Sequence, residues 1–570
     1  SATLTAANHI GAAGAADVDT RVTDLRLHST VAGDIHIGEK NALNLIRAQT
    51  TASDIDLTTG GALAIGDIIS PHNVRITAGG PVSNSGKVQA IDLTVVAVGA
   101  IQLNTEVTTL SAENTGATGA ITITELNGGG AIRVQLLKQS QVSNSDQIQL
   151  HTQSGAIRVV ASGQGVHHLG SGSIDLSAAG NVNIGQVISS QAGAITITAQ
   201  TAITQNANIT TQGGAINLTA NDGRISQDRG TQASVTGSGT ITLTATGDGR
   251  LNRVVTSGHA DVTAGSGPST GSIVDVSDEI ESANLEASTA ILLADVGIGG
   301  LGDDDLDTAL DYLEAEAGSG GIWVDNLGNL VVGEISAVEG LTTAGPIVVS
   351  TAGSLSIRED VTSAANIDLS ATAGDVGVID GSSVLAATNA NLLASGSIAI
   401  DGSYVTATAG MADLDAQGGQ LSLINASMVT AFSSITGNAG TDLTIDSGSG
   451  AVAGDDAVLT AGNDLHLTAT STVQAQDLIA ILGDHGNSDP GIGSSIQLQG
   501  ILDGQRVEVS GEKDADSILL QLVNLVGHTQ IFGQAGDDLI TIDHLVTLIT
   551  AHDRPADGVT GAVQDTVDID

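Results

Sequence analysis

Cysteine is absent from the 570 residues, and aromatic rings are confined to two Phe, two Tyr and one Trp. No disulfide framework is possible, so the chain carries only a weak signal of redox compartment. A core built without rings must be narrow, with room for Ile, Leu, Val and Ala. Basic residues nearly vanish in the second half. Residues 1–253 hold 13 Lys or Arg against 17 Asp or Glu, and residues 254–570 hold 4 against 46, within a total formal charge of −46. Phosphate binding needs clustered Lys and Arg, so nucleic acid is an unsuitable partner. No run of about 18 apolar residues occurs, and no transmembrane helix is expected. No basic stretch followed by an apolar one opens the sequence, which begins at Ser1 and reads as an internal or processed piece of something longer.

Catalytic signatures are missing too. There is no His-Glu-x-x-His, no Gly-x-Ser-x-Gly and no Cys nucleophile. Parallel β-helices that cleave polysaccharides cluster Asp, Lys or Arg beside aromatic platforms, whereas Tyr312, Trp323 and Tyr404 are scattered. The expectation is no enzyme. Among the 13 histidines, His167-His168 lies in a Gly-rich stretch and reads as a solvated corner.

What is present is repetition. Gly172-Ser-Ile-Asp-Leu returns as Gly193-Ala-Ile-Thr-Ile, Gly214-Ala-Ile-Asn-Leu and Gly239-Thr-Ile-Thr-Leu, so Ile174, Ile195, Ile216 and Ile241 follow at steps of 21, 21 and 25. A fixed step of this size marks stacked supersecondary units rather than one globular core. Within a step the apolar residues alternate at period two, as at Ile195 and Ile197, then Ile203, then Ile209. Gln205-Asn206, Gly213-Gly214 and Asn221-Asp222-Gly223 fill the gaps, where positive-φ corners are expected. The predicted fold is all-β: a right-handed parallel β-helix, or β-solenoid, of roughly 20-residue coils with a C-terminal acidic β module. Roughly 25 turns at about 4.8 Å each would give a rod on the order of 120 Å. The Gly content of 74 residues allows disorder as an alternative, but 41% hydrophobic residues and a positive mean hydropathy argue against it.

Along the chain, residues 1–30 read as an N-terminal cap or partial coil, 31–483 as the solenoid, and 484–570 as the acidic C-terminal module or junction. A modified coil or insertion is expected at 299–320. There Leu306, Leu310 and Leu313 fall at helical spacing behind a run of acids, which predicts a one- or two-turn helix or a protruding loop. A second tidy array follows at Ile398, Leu421, Leu443 and Leu465. The segment 483–491 reads as a loop by composition, and the residues from His552 to Asp570 as loosely packed.

These phrases resemble the very large bacterial surface exoproteins of the filamentous-haemagglutinin-like adhesin type. The resemblance is sharpest at 296–326, where Leu306-Asp-Thr, Leu313-Glu-Ala and Gly320-Gly-Ile-Trp-Val-Asp-Asn fall as in a block recurring in such proteins, which has Pro where Asp305 stands. That resemblance implies a modified solenoid turn there in place of a long helix. A second resemblance is to the nonapeptide of repeats-in-toxin proteins, Gly-Gly-x-Gly-x-Asp-x-(large apolar)-x. Gly533-Gln-Ala-Gly536-Asp537-Asp538-Leu-Ile540 matches except at Gln534, Gly511 to Asp516 is a degraded copy, and Gly437 to Asp442 a partial one. The resemblance implies calcium, with Asp516, Gly533, Gly536, Asp537, Asp538 and Asp442 as the metal-site candidates. Asp oxygens and tight Gly corners suit a hard cation. The alternative is that copies about 22 residues apart are ordinary acidic solenoid corners.

Together these readings predict a non-enzymatic extracellular segment of a giant bacterial surface protein, acting as a stiff rod in adhesion, cell–cell contact or matrix. Its partners would be copies of itself, neighbouring segments of a larger chain, or a cell-surface glycan or protein receptor. A head-to-tail filament subunit is one rival, since solenoid ends expose unpaired strand edges. A carbohydrate-binding or polysaccharide-lyase β-helix is another. Paired outward threonines at Thr196 and Thr198 or Thr242 and Thr244 also raise ice binding, although Asn217 interrupts the array.

Overall fold

The computed structural model describes residues 1–14, 17–128, 130–265, 270–276, 282–302, 304–446, 448–486, 491–543, 549–552 and 566–569. The chain winds into a parallel β-solenoid of about 24 turns with coils of roughly 22 residues. By contacts it divides into two units, Ser1–Glu279 with Asn284–Ser288 and Ile280–Ala283 with Thr289–Asp570.

In the first unit the tidy array shows how the sequence makes the fold. Each turn supplies three short strands, such as Ile195–Ala199, Ile203–Gln205 and Ile209–Thr211, and each strand pairs in parallel with its counterpart one turn away. Register places Ile174, Ile195, Ile216 and Ile241 in one column, and Leu176, Ile197, Leu218 and Leu243 in the next. All eight are buried, at about 1.5–3 kcal/mol each. Alternation sends Ser177, Thr198, Thr219, Thr244 and Thr263 outward as a column of small hydroxyls.

The corners work differently from the expectation. None of Asn206, Gly213, Gly214, Asn221 and Gly223 has a positive φ. Close approach selects glycine instead: a methyl on Gly193 would lie 1.9 Å from the carbonyl oxygen of Gly172, and one on Gly214 would lie 2.3 Å from the carbonyl carbon of Gly193. Buried hydroxyls complete these corners. Ser190 accepts the N–H of Gly193 at 2.9 Å, and Thr211 donates to the oxygen of Gly193 at 3.1 Å while accepting the N–H of Gly214 at 3.2 Å.

Other polar side chains point inward as well. Gln205 is fully buried, and its amide oxygen accepts from Nε2 of Gln227 at 3.0 Å. His168 is 1% exposed, which corrects the solvated-corner reading. Its Nε2 meets the carbonyl of Asp146 at 2.6 Å and its Nδ1 accepts the N–H of Gly170 at 3.1 Å, so the interior satisfies both ring nitrogens. His167, one residue earlier, faces outward against Ser189.

At three bends a buried acid or amide from the next turn ties the chain down; at two of them, within Ile101–Asn114 and Leu306–Ala317, a single strand runs on through the bend. Glu39 takes the hydroxyl of Thr20 at 2.8 Å and the N–H of Val22 at 2.9 Å. Glu125 takes the hydroxyl of Thr105 at 2.6 Å and the N–H of Val107 at 2.8 Å. In the second unit Asn326 does the same for Thr308 at 2.9 Å and Leu310 at 2.8 Å. Each pair of donors is a Thr-x-Val or Thr-x-Leu, a signal the sequence carries without announcing its partner.

The helix expected around Leu306, Leu310 and Leu313 does not form. Leu306–Ala317 is a 12-residue strand, paired with Gly321–Asn326, Leu330–Val332 and Leu341–Thr343. Thr308, Ala315 and Ala317 point inward with the leucines, so the burial follows period two and shifts at Asp311-Tyr312. The N–H of Asp305 donates to the oxygen of Gly302 at 3.1 Å, a bond that proline at that position could not make. Further along, Ile398, Leu421, Leu443, Leu465, Ile496, Ile518 and Ile540 form one continuous column. The loop expected at 483–491 lies partly outside the described residues, at 487–490. Most of the stretch from His552 to Asp570 also lies outside them.

Candidate functional site

In the second unit most corners between the first and second strands of a turn are short, as at Ala461-Gly-Asn-Asp464-Leu465. From Gly483 onward they widen, and in the last turns they read Gly511-x-x-x-x-Asp516 and Gly533-x-x-x-x-Asp538. Register fixes what lies over what. Leu482, Ser510 and Phe532 are aligned before the corner, and Ser495, Ser517 and Leu539 after it. Hence Gly483, Gly511 and Gly533 stack on one side, with Ser494, Asp516 and Asp538 on the other.

The stack is held by its own side chains. The N–H and hydroxyl of Ser494 donate to Oδ1 of Asp516 at 2.6 and 2.9 Å, and the N–H of Asp516 donates to Oδ1 of Asp538 at 2.9 Å. Asp516 and Asp538 are each 2% exposed, and Asp484 is buried nearby. The glycines make room for the carboxylates. A methyl on Gly511 would lie 2.1 Å from Oδ2 of Asp516, and one on Gly533 would lie 2.2 Å from Oδ2 of Asp538. Among the described residues, Oδ2 of Asp516 has no hydrogen-bond partner.

Burial pushes the Asp516 carboxyl up to about 7, with the neighbouring Asp538 and Asp484 charges adding to it and the Ser494 hydrogen bonds opposing it. Asp484, Glu512 and Gln534 all occupy the position after the glycine, and all three have positive φ, at 46°, 72° and 66°. That is the place where the nonapeptide pattern has its second Gly, so the backbone conformation persists although the residue has changed. Gly536 needs its own freedom, with φ of 139° and only 1.6 Å from its missing methyl to the oxygen of Asp514.

The sequence candidates therefore divide. Asp516, Asp538 and Gly533 meet in the stack, together with Gly511, while Gly536 shapes its loop. Asp537 is exposed. Asp442 belongs to a different column, one residue out of step, aligned with Asp464 and Ser495. Its Oδ1 accepts the N–H of Asp464 at 3.3 Å, and Asp464 in turn accepts the N–H of Ser495 at 2.8 Å. That column links successive corners through their backbones.

Sequence reasoning missed Ser494 and Asp484, whose corner is longer and shares no motif with the others. Among the described residues no three His, Asp or Glu side chains converge as a metal-holding group, so a cation here would also rely on backbone oxygens. The donor set is all oxygen, which suits a hard cation and not a soft one. No helix among the described residues is long and apolar enough to cross a membrane. No family model, no curated protein and no solved structure matches this chain.

Proposed function

We propose that this chain is a non-enzymatic, load-bearing segment of an extracellular bacterial surface protein, used in adhesion, cell–cell contact or matrix. The observation that carries this reading is the continuity of the ladders. The column from Ile398 to Ile540 passes from turn to turn with strand paired to strand. Pulling along such a stack loads many backbone hydrogen bonds in parallel. The charge of the second half suits a medium rich in cations, which would screen its self-repulsion. Particle images with single-molecule pulling test the proposal. Stiff isolated particles that resist unfolding until high force are expected. Flexible beads unfolding at low force would overturn it, and end-to-end particles would favour the filament reading.

A second reading concerns the corner stack. We infer that Asp516 and Asp538 take a hard divalent cation, calcium being the natural choice, which would neutralise carboxylates otherwise held together inside the fold. The unpartnered, buried Oδ2 of Asp516 favours it.

A further inference from the structure

The first unit carries a feature that neither the load-bearing role nor the acidic corners use. The strands Val88–Ala97, Ile101–Asn114 and Ile132–Gln139 run on through a bend where other turns have separate short strands. Beside this bend the outer surface holds an open groove of about 430 Å³, within the range of ligand sites.

Its lining is ordered by the ladder. One column runs Asp54, Asn73, Asp92, Thr109, and a second, two residues further along each strand, runs His36, Asp56, Arg75, Thr94, Ser111. The pairing slips between Leu110 and Ser111, leaving Gln135 as an extra residue that bulges into the groove. Successive turns therefore offer pairs of polar side chains about 4.8 Å apart. Some are committed: Oδ1 of Asp54 accepts the N–H of Asn73 at 3.0 Å, and His36 lies 3.8 Å from Asp56. Others are not. Among the described residues, Arg75, Asp92, Thr94, Thr109, Ser111 and Gln135 have no side-chain partner.

We propose that this groove binds an extended, uncharged polysaccharide lying along the stack. The free groups set one carboxylate acceptor, Asp92, among guanidinium, amide and hydroxyl groups, which is the complement of a chain of sugar hydroxyls. A repeat near 4.8 Å is close to the length of one ring in an extended glycan, so one turn would meet one sugar. Three carboxylates against one guanidinium disfavour sulfated or uronic chains. Arg75 in the middle of the row disfavours a lysine-rich peptide. No aromatic is among the described residues that line the groove, so each sugar is held there by hydrogen bonds, and affinity must accumulate over several rungs. This inference extends the adhesive part of the proposed function and does not depend on the mechanical part.

The test is affinity electrophoresis and calorimetry of the full chain with dextran, mannan, laminarin and cellohexaose, alongside heparin and polylysine as charged probes. Binding to at least one neutral glycan is expected, and it should survive about 0.5 M salt because no counterions are released. The double variant Arg75→Ala/Asp92→Ala should weaken it at least about tenfold, since two hydrogen-bonding groups are lost. Thr196→Ala/Thr198→Ala, far along the outer surface, should leave it unchanged. Circular dichroism and melting of the variants check that the exposed changes leave the fold intact. No binding to any neutral glycan, equal binding by the groove variant, or salt-sensitive binding to polylysine or heparin alone would overturn the proposal. Any of these results would leave the pulling experiment unaffected.

Discussion

The backbone N–H of Asp516 donates to the side-chain oxygen of Asp538, 22 residues later and 2.9 Å away. A spacing that separates two motif copies along the chain thus becomes direct contact between them. Stacking also puts two buried carboxylates beside each other, a destabilising arrangement that a proton or a cation relieves.

Calcium should therefore raise the melting temperature of the wild type relative to a chelator-treated sample. Asp516→Asn keeps an acceptor for Ser494 but removes the charge, so the calcium response should shrink or vanish. Asp516→Ala leaves the N–H and hydroxyl of Ser494 without their acceptor, at about 1–3 kcal/mol for each buried donor. Identical melting of the wild type in calcium and chelator would end the cation reading.

Glu125 gives a pH dependence with a definite sign. Burial raises its carboxyl to about 7, with the Glu106 charge adding to it, against the hydrogen bonds from Thr105 and Val107. At pH below the ordinary value of 4.5 both folded and unfolded chains hold the proton, and Glu125 contributes no slope. Between 4.5 and about 7 only the unfolded chain ionises, so stability falls as pH rises, by on the order of 3 kcal/mol, and is flat above. Glu125→Gln should remove that slope in urea titrations and be the more stable protein near pH 8. A slope unchanged by the substitution would refute the assignment. Glu39, which makes the same kind of contact, behaves oppositely: burial raises its carboxyl, but the hydrogen bonds from Val22, Thr20 and Asn41 outweigh that and lower it overall.

Gly213 and Gly214 are neighbours with different roles. A methyl on Gly213 meets nothing within 4 Å, whereas one on Gly214 would be 2.3 Å from backbone of the preceding turn. Gly213→Ala should be neutral or stabilise by about 0.4–1 kcal/mol through the unfolded chain. Gly214→Ala should destabilise by at least about 1–3 kcal/mol, because backbone must move. Paired thermal melts decide it, and equal effects would contradict the stacked-corner geometry.

Ala426 is held at φ of 64° with no side-chain hydrogen bond to offset the strain. Ala426→Gly should relieve about 1 kcal/mol and raise the melting temperature of the second unit. A fall in melting temperature would show that the left-handed conformation there is not strained.

The period-two columns were legible because they are local. Cβ direction alternates along any strand, so Ile195, Ile197 and Ile203 declare a half-buried strand from their order alone. At Leu306, Leu310 and Leu313 the same logic misleads, because three leucines satisfy a helical spacing while the inward Thr308 and Ala315 look neutral in sequence. Only pairing with the neighbouring turns makes the strand win there.

By itself the sequence determined the size of the coil, the identity of its apolar columns and the exclusion of rings from a thin core. The tertiary structure decided what meets across turns: Asp516 over Asp538, Gln205 against Gln227, the groove rungs beside Arg75, and His168 turned inward. The physical reason is that alternation is set residue by residue, whereas the contacts between turns depend on the summed length of every corner between them. One residue more or less in a corner moves Asp442 out of the column that Asp516 and Asp538 share.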